Sequence, residues 1–161
     1  MAIDAQDDKS DHPGVIAPPP LIYLGFLALG FLLDWFWPVT VHVPNFLRYG
    51  LALALASVGV VIALAAFREF RRAKTNVLPH KPTTAIITSG PFASMRNPLY
   101  LALALLHSAV AIAAGNAWAL MLLAPALLVI NYFVIAREER YLEAKFGEDY
   151  LTYKNRVSRW F

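Results

Sequence analysis

The chain has 161 residues, a formal charge of +3 and a hydrophobic fraction of 58%, enough for one domain but too apolar for an ordinary soluble one of that size. It has no cysteine, which excludes disulfides, thiolate metal sites and a cysteine nucleophile. Its four histidines, His12, His42, His80 and His107, lack ligand-like spacing, so no metal centre is expected, and its basic residues flank apolar runs instead of covering a polar face, so neither is a nucleic-acid partner.

Residues 1–19 are polar, acidic and end in a proline triplet, a composition that buries too little apolar area to offset its ordering entropy; a mobile N-terminal tail is expected. No basic stretch with a small-residue cleavage site precedes the first apolar run, so that run is expected to serve as the insertion signal itself. Residues 21–37 are apolar apart from Asp34, and residues 47–67 are apolar with alanine, valine and glycine throughout. Each approaches the roughly 20 residues a helix needs to cross about 30 Å of hydrocarbon. Between them, PVTVHVPNF carries Pro38 and Pro44 and reads as a short external loop. Residues 99–114 and 117–136 form a second apolar pair, broken by Gly115-Asn116, a turn dipeptide. The expected fold is therefore all-α, an integral membrane bundle of about four transmembrane helices over residues 20–136, with a cytoplasmic loop at 68–97. The third span is short enough to be tilted or only partly inserted.

Lysine and arginine set the orientation, because short cytoplasmic loops retain positive charge. Arg68, Arg71, Arg72, Lys74, Lys81 and Arg96 follow the second span, and Arg137, Arg140, Lys145, Lys154, Arg156 and Arg159 follow the fourth; the opposite side has Arg48. Both termini are expected in the cytoplasm. In residues 137–161, Leu142, Phe146, Tyr150, Tyr153, Val157 and Trp160 recur at spacings of three and four, which predicts a C-terminal amphipathic helix against the bundle or the lipid interface, with Gly147 as a kink. Within the spans, His107 is expected to be a hydrogen-bonded packing residue, and Gly59, Ser57 and the many alanines to serve close helix packing, including a possible homodimer seam.

Polar groups near span ends must be solvated, paired or functional. One such group is the run from Thr75 to Phe92, TNVLPHKPTTAIITSGPF, where three prolines prevent a continuous helix; it is a solvated loop by composition but long enough for a binding loop. Arg96-Asn97-Pro98 makes a helix start, with Asn97 as N-cap and Pro98 in the first turn, and Tyr100 follows. Glu138 and Glu139, inside Arg137-Glu138-Glu139-Arg140, point about 100° apart on a helix, so one can face the bundle and the other water. Local pairing with Arg137 and Arg140 is the simpler account of them. Negative charge at a helix C-terminus is unfavourable unless the helix continues or a cation is present, and a cationic ligand would supply one.

In this order and spacing, PHKPT, ITSGPFASMRNPLYLA and REERYLEAKFGEDYLTYKNRVSRW resemble the isoprenylcysteine carboxyl methyltransferase and phospholipid methyltransferase superfamily of membrane enzymes. The resemblance covers roughly residue 68 to the C-terminus. It implies S-adenosylmethionine as methyl donor, bound at the cytoplasmic ends of the last two spans under the connecting loop and C-terminal segment. The family's Arg-His/Asn-Pro-x-Tyr signature falls on Arg96, Asn97, Pro98 and Tyr100, its paired glutamates on Glu138 and Glu139, and its loop histidine on His80. The cofactor residues implied are His80, Gly90, Phe92, Arg96, Asn97, Tyr100, Glu138 and Glu139, with His80, Arg96 and Glu138 as the catalytic set. The chain is shorter than the eukaryotic enzymes, with fewer spans before the signature, which suits a bacterial inner membrane. The expected reaction is methyl transfer to a lipophilic or small acceptor, a carboxylate, thiol or amine, at the cytoplasmic interface. The rival expectation is a non-catalytic four-helix membrane binding or assembly protein of the same shape.

Overall fold

The computed structural model describes residues 17–75 and 83–160; His80 and most of the expected tail lie outside the described residues. Helix α1, Pro19–Phe36, starts on prolines that fit a first helical turn, and ends before Pro38. Helix α2, Asn45–Arg72, is followed by a 3-10 turn at Gly90–Ala93 and by α3, Pro98–Ala114. Helix α4 runs over Ala117–Phe146 with a π segment at Ile130–Ile135, and α5 spans Glu148–Arg156. Among the described residues every regular element is helical.

Three helices, α1, α2 and α4, are long and apolar enough to cross a membrane. The expectation of four full spans is met only in part, because α3 has 17 residues, about 25 Å at 1.5 Å per residue. Large apolar side chains lie open on α1 and α2, among them Leu53, 70% exposed, as hydrocarbon-facing residues would.

Small residues decide how the helices approach. Ala52, Gly59 and Ala66 recur every seventh position on α2 and are buried, forming a seam against α3. A methyl group added at Gly59 would stand 3.1 Å from the carbonyl oxygen of Ala102. Where α1 crosses the start of α4 the approach is closer: a methyl group at Gly30 would lie 2.4 Å from the Ala119 Cα. The turn between α3 and α4 uses Gly115 in the left-handed conformation and Asn116, whose side chain accepts from the Ala119 N–H at 2.8 Å. His107 is 3% exposed, its Nε2 2.8 Å from the Ala119 carbonyl, a packing residue as expected. The apolar core joins Tyr23, Ala104, Ala126, Ile130, Val134 and Ile135, with Tyr100 and Trp160 packed against it.

Three expected boundaries change. Residues 68–72 belong to α2, not to the connecting loop, because Glu69 turns inward and is buried. The fourth apolar run does not end at residue 136; α4 continues to Phe146, so Glu138 and Glu139 lie inside a helix and escape the unfavourable end of its dipole. The C-terminal segment is not one helix. Gly147, at φ 54 and ψ −127, takes a conformation essentially reserved for glycine, which breaks the helix, and beyond α5 the chain becomes extended at Val157.

Candidate functional site

The extended C-terminus returns to the start of α3. The Arg96 N–H donates to the Ser158 carbonyl at 2.9 Å and the Asn97 N–H to the Arg159 carbonyl at 3.2 Å. Asn97 occupies the N-cap position without capping through its side chain; its Nδ2 donates to the Arg159 carbonyl, also at 3.2 Å. The Asn97 side chain thus ties α3 to the C-terminus, a correction to its expected capping role. Tyr153 donates to the Phe92 carbonyl at 2.7 Å, which anchors α5 to the 3-10 turn. Phe92 packs edge-on against Phe70 of α2 with ring centroids 5.4 Å apart.

This wrapping assembles a charge cluster that no local pairing would give. Glu139, 6% exposed, is 2.9 Å from Arg96 Nη1. Arg159 forks onto the same carboxylate at 2.8 and 2.7 Å and reaches Asn131 Oδ1 at 3.1 Å. Lys154 stands 3.9 Å away and also pairs with Glu143. Sequence separation hides all of these cations from a local reading, and the expectation that one glutamate faces the bundle and the other water gives way to one buried among cations and one half-buried on the wall of a cavity. Arg96, with a side chain 9% exposed, does not snorkel to solvent.

Glu138 has a different environment. Its Oε1 accepts from the Tyr100 hydroxyl at 2.5 Å, and among the described residues no lysine or arginine pairs with it. Glu138, Tyr100, Arg96, Tyr150 and Tyr153, together with Thr83, Asn97, Glu139 and Tyr141, form the polar part of the lining of a cavity of about 520 Å³, and the rest is apolar, including Phe67, Leu103 and Leu106. Pro18, Pro19 and Pro20 complete it on the side where α1 begins. Burial pushes the Tyr150 hydroxyl up to about 12, with the negative Glu139 adding to the effect; burial also raises Tyr153 to about 12. Both remain neutral hydroxyls near pH 7. The hydrogen bond to Glu139 holds Arg159 still more firmly protonated.

The phospholipid methyltransferase family matches residues 47–149, well over half of the chain. The chain belongs to that family. An uncharacterized protein of Haemophilus influenzae is 48% identical over 62 residues, covering 38% of this chain and 98% of the relative. No solved structure matches significantly.

Among the expected site residues of this phospholipid methyltransferase family member, Phe92, Arg96, Asn97, Tyr100, Glu138 and Glu139 line one cavity. Gly90 stands outside that lining. It adopts φ 59, and a side chain there would put its Cβ 2.8 Å from Glu69 Cγ, so this glycine lets the loop close over Glu69. Glu69 accepts from Ser89 Oγ at 2.6 Å and from Arg72 at 2.9 Å. Sequence reasoning missed Glu69, Arg159 and the two tyrosine hydroxyls. Glu69 is the lone acid among the arginines ending α2, which was a signal; Arg159 sits in the resembling C-terminal stretch, but nothing local there points to a partner twenty residues back.

Proposed function

We propose that the protein is an S-adenosylmethionine-dependent methyltransferase of the membrane, acting on a lipophilic or small acceptor at the cytoplasmic interface. The observation that carries this reading is the asymmetry between neighbouring glutamates. Glu139 is saturated by three cations, whereas Glu138 presents a carboxylate to the cavity with a tyrosine as its partner. A buried carboxylate without a counter-ion is costly, and a cationic ligand group removes that cost. The cavity volume of about 520 Å³ falls within the roughly 300–1,000 Å³ of ordinary small-molecule sites.

When bound, S-adenosylmethionine supplies an electrophilic methyl group together with its own leaving group. Glu138, oriented by Tyr100, would hold a cationic part of that molecule. Arg96 leaves its Nε buried and unpartnered, a donor that a carboxylate could satisfy, and the N-terminus of α3 adds favourable backbone dipoles. Phe92 and Tyr100 offer aromatic faces to adenine or sulfonium. Alignment and exclusion of water are the main requirements on the protein, and the wrapped C-terminus meets the second by covering Arg96. For an amine acceptor, His80 or Glu138 would receive the proton. The apolar walls favour an acceptor with a hydrocarbon portion.

Calorimetry of the detergent-purified protein with S-adenosylmethionine and S-adenosylhomocysteine tests this. Binding is expected, and it should weaken in Glu138→Gln. No binding of either molecule would refute the reading and support the non-catalytic alternative.

A further inference from the structure

Next to the cavity, with Phe67 as the shared wall, Leu64, Phe67, Arg68, Arg71 and Arg72 line a second groove of about 470 Å³. These positions are i, i+3, i+4, i+7 and i+8, one face of α2. The face opposite carries Ala52, Gly59, Ala66 and Glu69, which are buried against the protein, so Leu64, Arg68, Arg71 and Arg72 point away from the bundle while Phe67 stands at the border between groove and cavity. It changes character along its length. Leu64 is 63% and Phe67 44% exposed, and one turn further the Arg68 and Arg72 side chains are about two-thirds exposed. No carboxylate among the described residues pairs with Arg71.

We infer that this groove binds an anionic phospholipid, distinct from the methyl acceptor, with its phosphate among Arg68, Arg71 and Arg72 and an acyl chain over Leu64 and Phe67. Length supports the placement. With 28 residues, α2 extends about 42 Å, against roughly 30 Å of hydrocarbon, so its last turns reach the headgroup layer. Leu64 and Arg71 are separated by about 10 Å along the axis, the span from upper acyl chain to phosphate. Arginine suits the contact because its planar fork matches phosphate oxygens. Glu69 on the other face engages Arg72 at 2.9 Å and, more loosely, Arg68 at 3.8 Å, offsetting about one of the three charges and leaving a net positive site centred on Arg68 and Arg71. Charge complementarity therefore selects a phosphodiester without a headgroup amine.

Native mass spectrometry of the full chain in neutral detergent, offered equal amounts of phosphatidylglycerol and phosphatidylcholine with identical acyl chains, tests the site. One phosphatidylglycerol is expected to be retained preferentially. Arg68→Gln with Arg71→Gln should reduce its affinity roughly thirtyfold, from the usual electrostatic contribution of each basic residue near an anionic surface; Arg71→Gln alone should show part of this loss if the double variant does not fold. Arg156→Gln, an exposed charge elsewhere, should leave the preference intact. Equal retention of both lipids, or a preference that survives in every Arg68 and Arg71 variant, would overturn the inference. Displacement of phosphatidylglycerol by millimolar inorganic phosphate would do the same, since the site would then recognise a free anion. Phosphatidylglycerol has no amine to methylate, so the outcome is independent of the proposed reaction.

Discussion

Glu138 and Glu139 are adjacent in sequence, yet the structure predicts opposite consequences for removing their charges. Glu139→Gln keeps the shape but takes the counter-ion from Arg96 at 2.9 Å and from the Arg159 fork at 2.8 and 2.7 Å. The Arg96 side chain is 9% exposed and recovers only part of its hydration while the C-terminal segment stays in place. Breaking a buried ion pair from one side costs about 3–5 kcal/mol; exposure of Arg159, with 33% of its side chain open, places the expected loss toward the lower end, about 3 kcal/mol. Glu138→Gln retains an oxygen acceptor for Tyr100 and strands no cation, so its stability cost should be below about 1 kcal/mol. Its effect should appear in ligand affinity instead, since one charge-assisted contact contributes about 1.5–3 kcal/mol, or about ten- to a hundredfold in Kd. Unfolding in mixed micelles gives the first quantity and calorimetry with S-adenosylmethionine the second. Equal destabilisation by both substitutions, or a larger one from Glu138→Gln, would refute the division of roles between the glutamates.

Three further substitutions probe the scaffold. Gly30→Ala should destabilise the bundle by about 1–3 kcal/mol through overpacking, because its methyl group meets Ala119 backbone at 2.4 Å, whereas Gly25→Ala meets nothing within 4 Å and should be neutral or slightly stabilising; unfolding of the pair in one detergent compares them. Gly90→Ala combines a positive φ with a 2.8 Å clash on Glu69 Cγ, and should cost about 1–3 kcal/mol, visible as faster proteolysis of the loop before α3. Tyr153→Phe leaves the buried Phe92 carbonyl without its 2.7 Å donor, a loss of about 1–3 kcal/mol that amide hydrogen exchange should localise to α5 and the 3-10 turn.

The sequence by itself determined the helical class, the hairpin turn at Gly115-Asn116, the packing role of His107 and the family, because each depends on local composition, turn chemistry or an ordered motif. It also singled out Arg96, Tyr100 and Glu138 by residue type. Only the tertiary structure decided which glutamate is occupied by the protein's own arginines, since that pairing joins α3, α4 and a C-terminal segment about twenty or more positions apart. It likewise decided that Asn97 bonds to the C-terminus and that Gly90 accommodates Glu69. Periodicity reports which face of a helix is apolar; it does not report which distant cation will reach a carboxylate, because that follows from where the chain turns back. Gly147 makes that turn by breaking the last helix, and the residues beyond it complete the site.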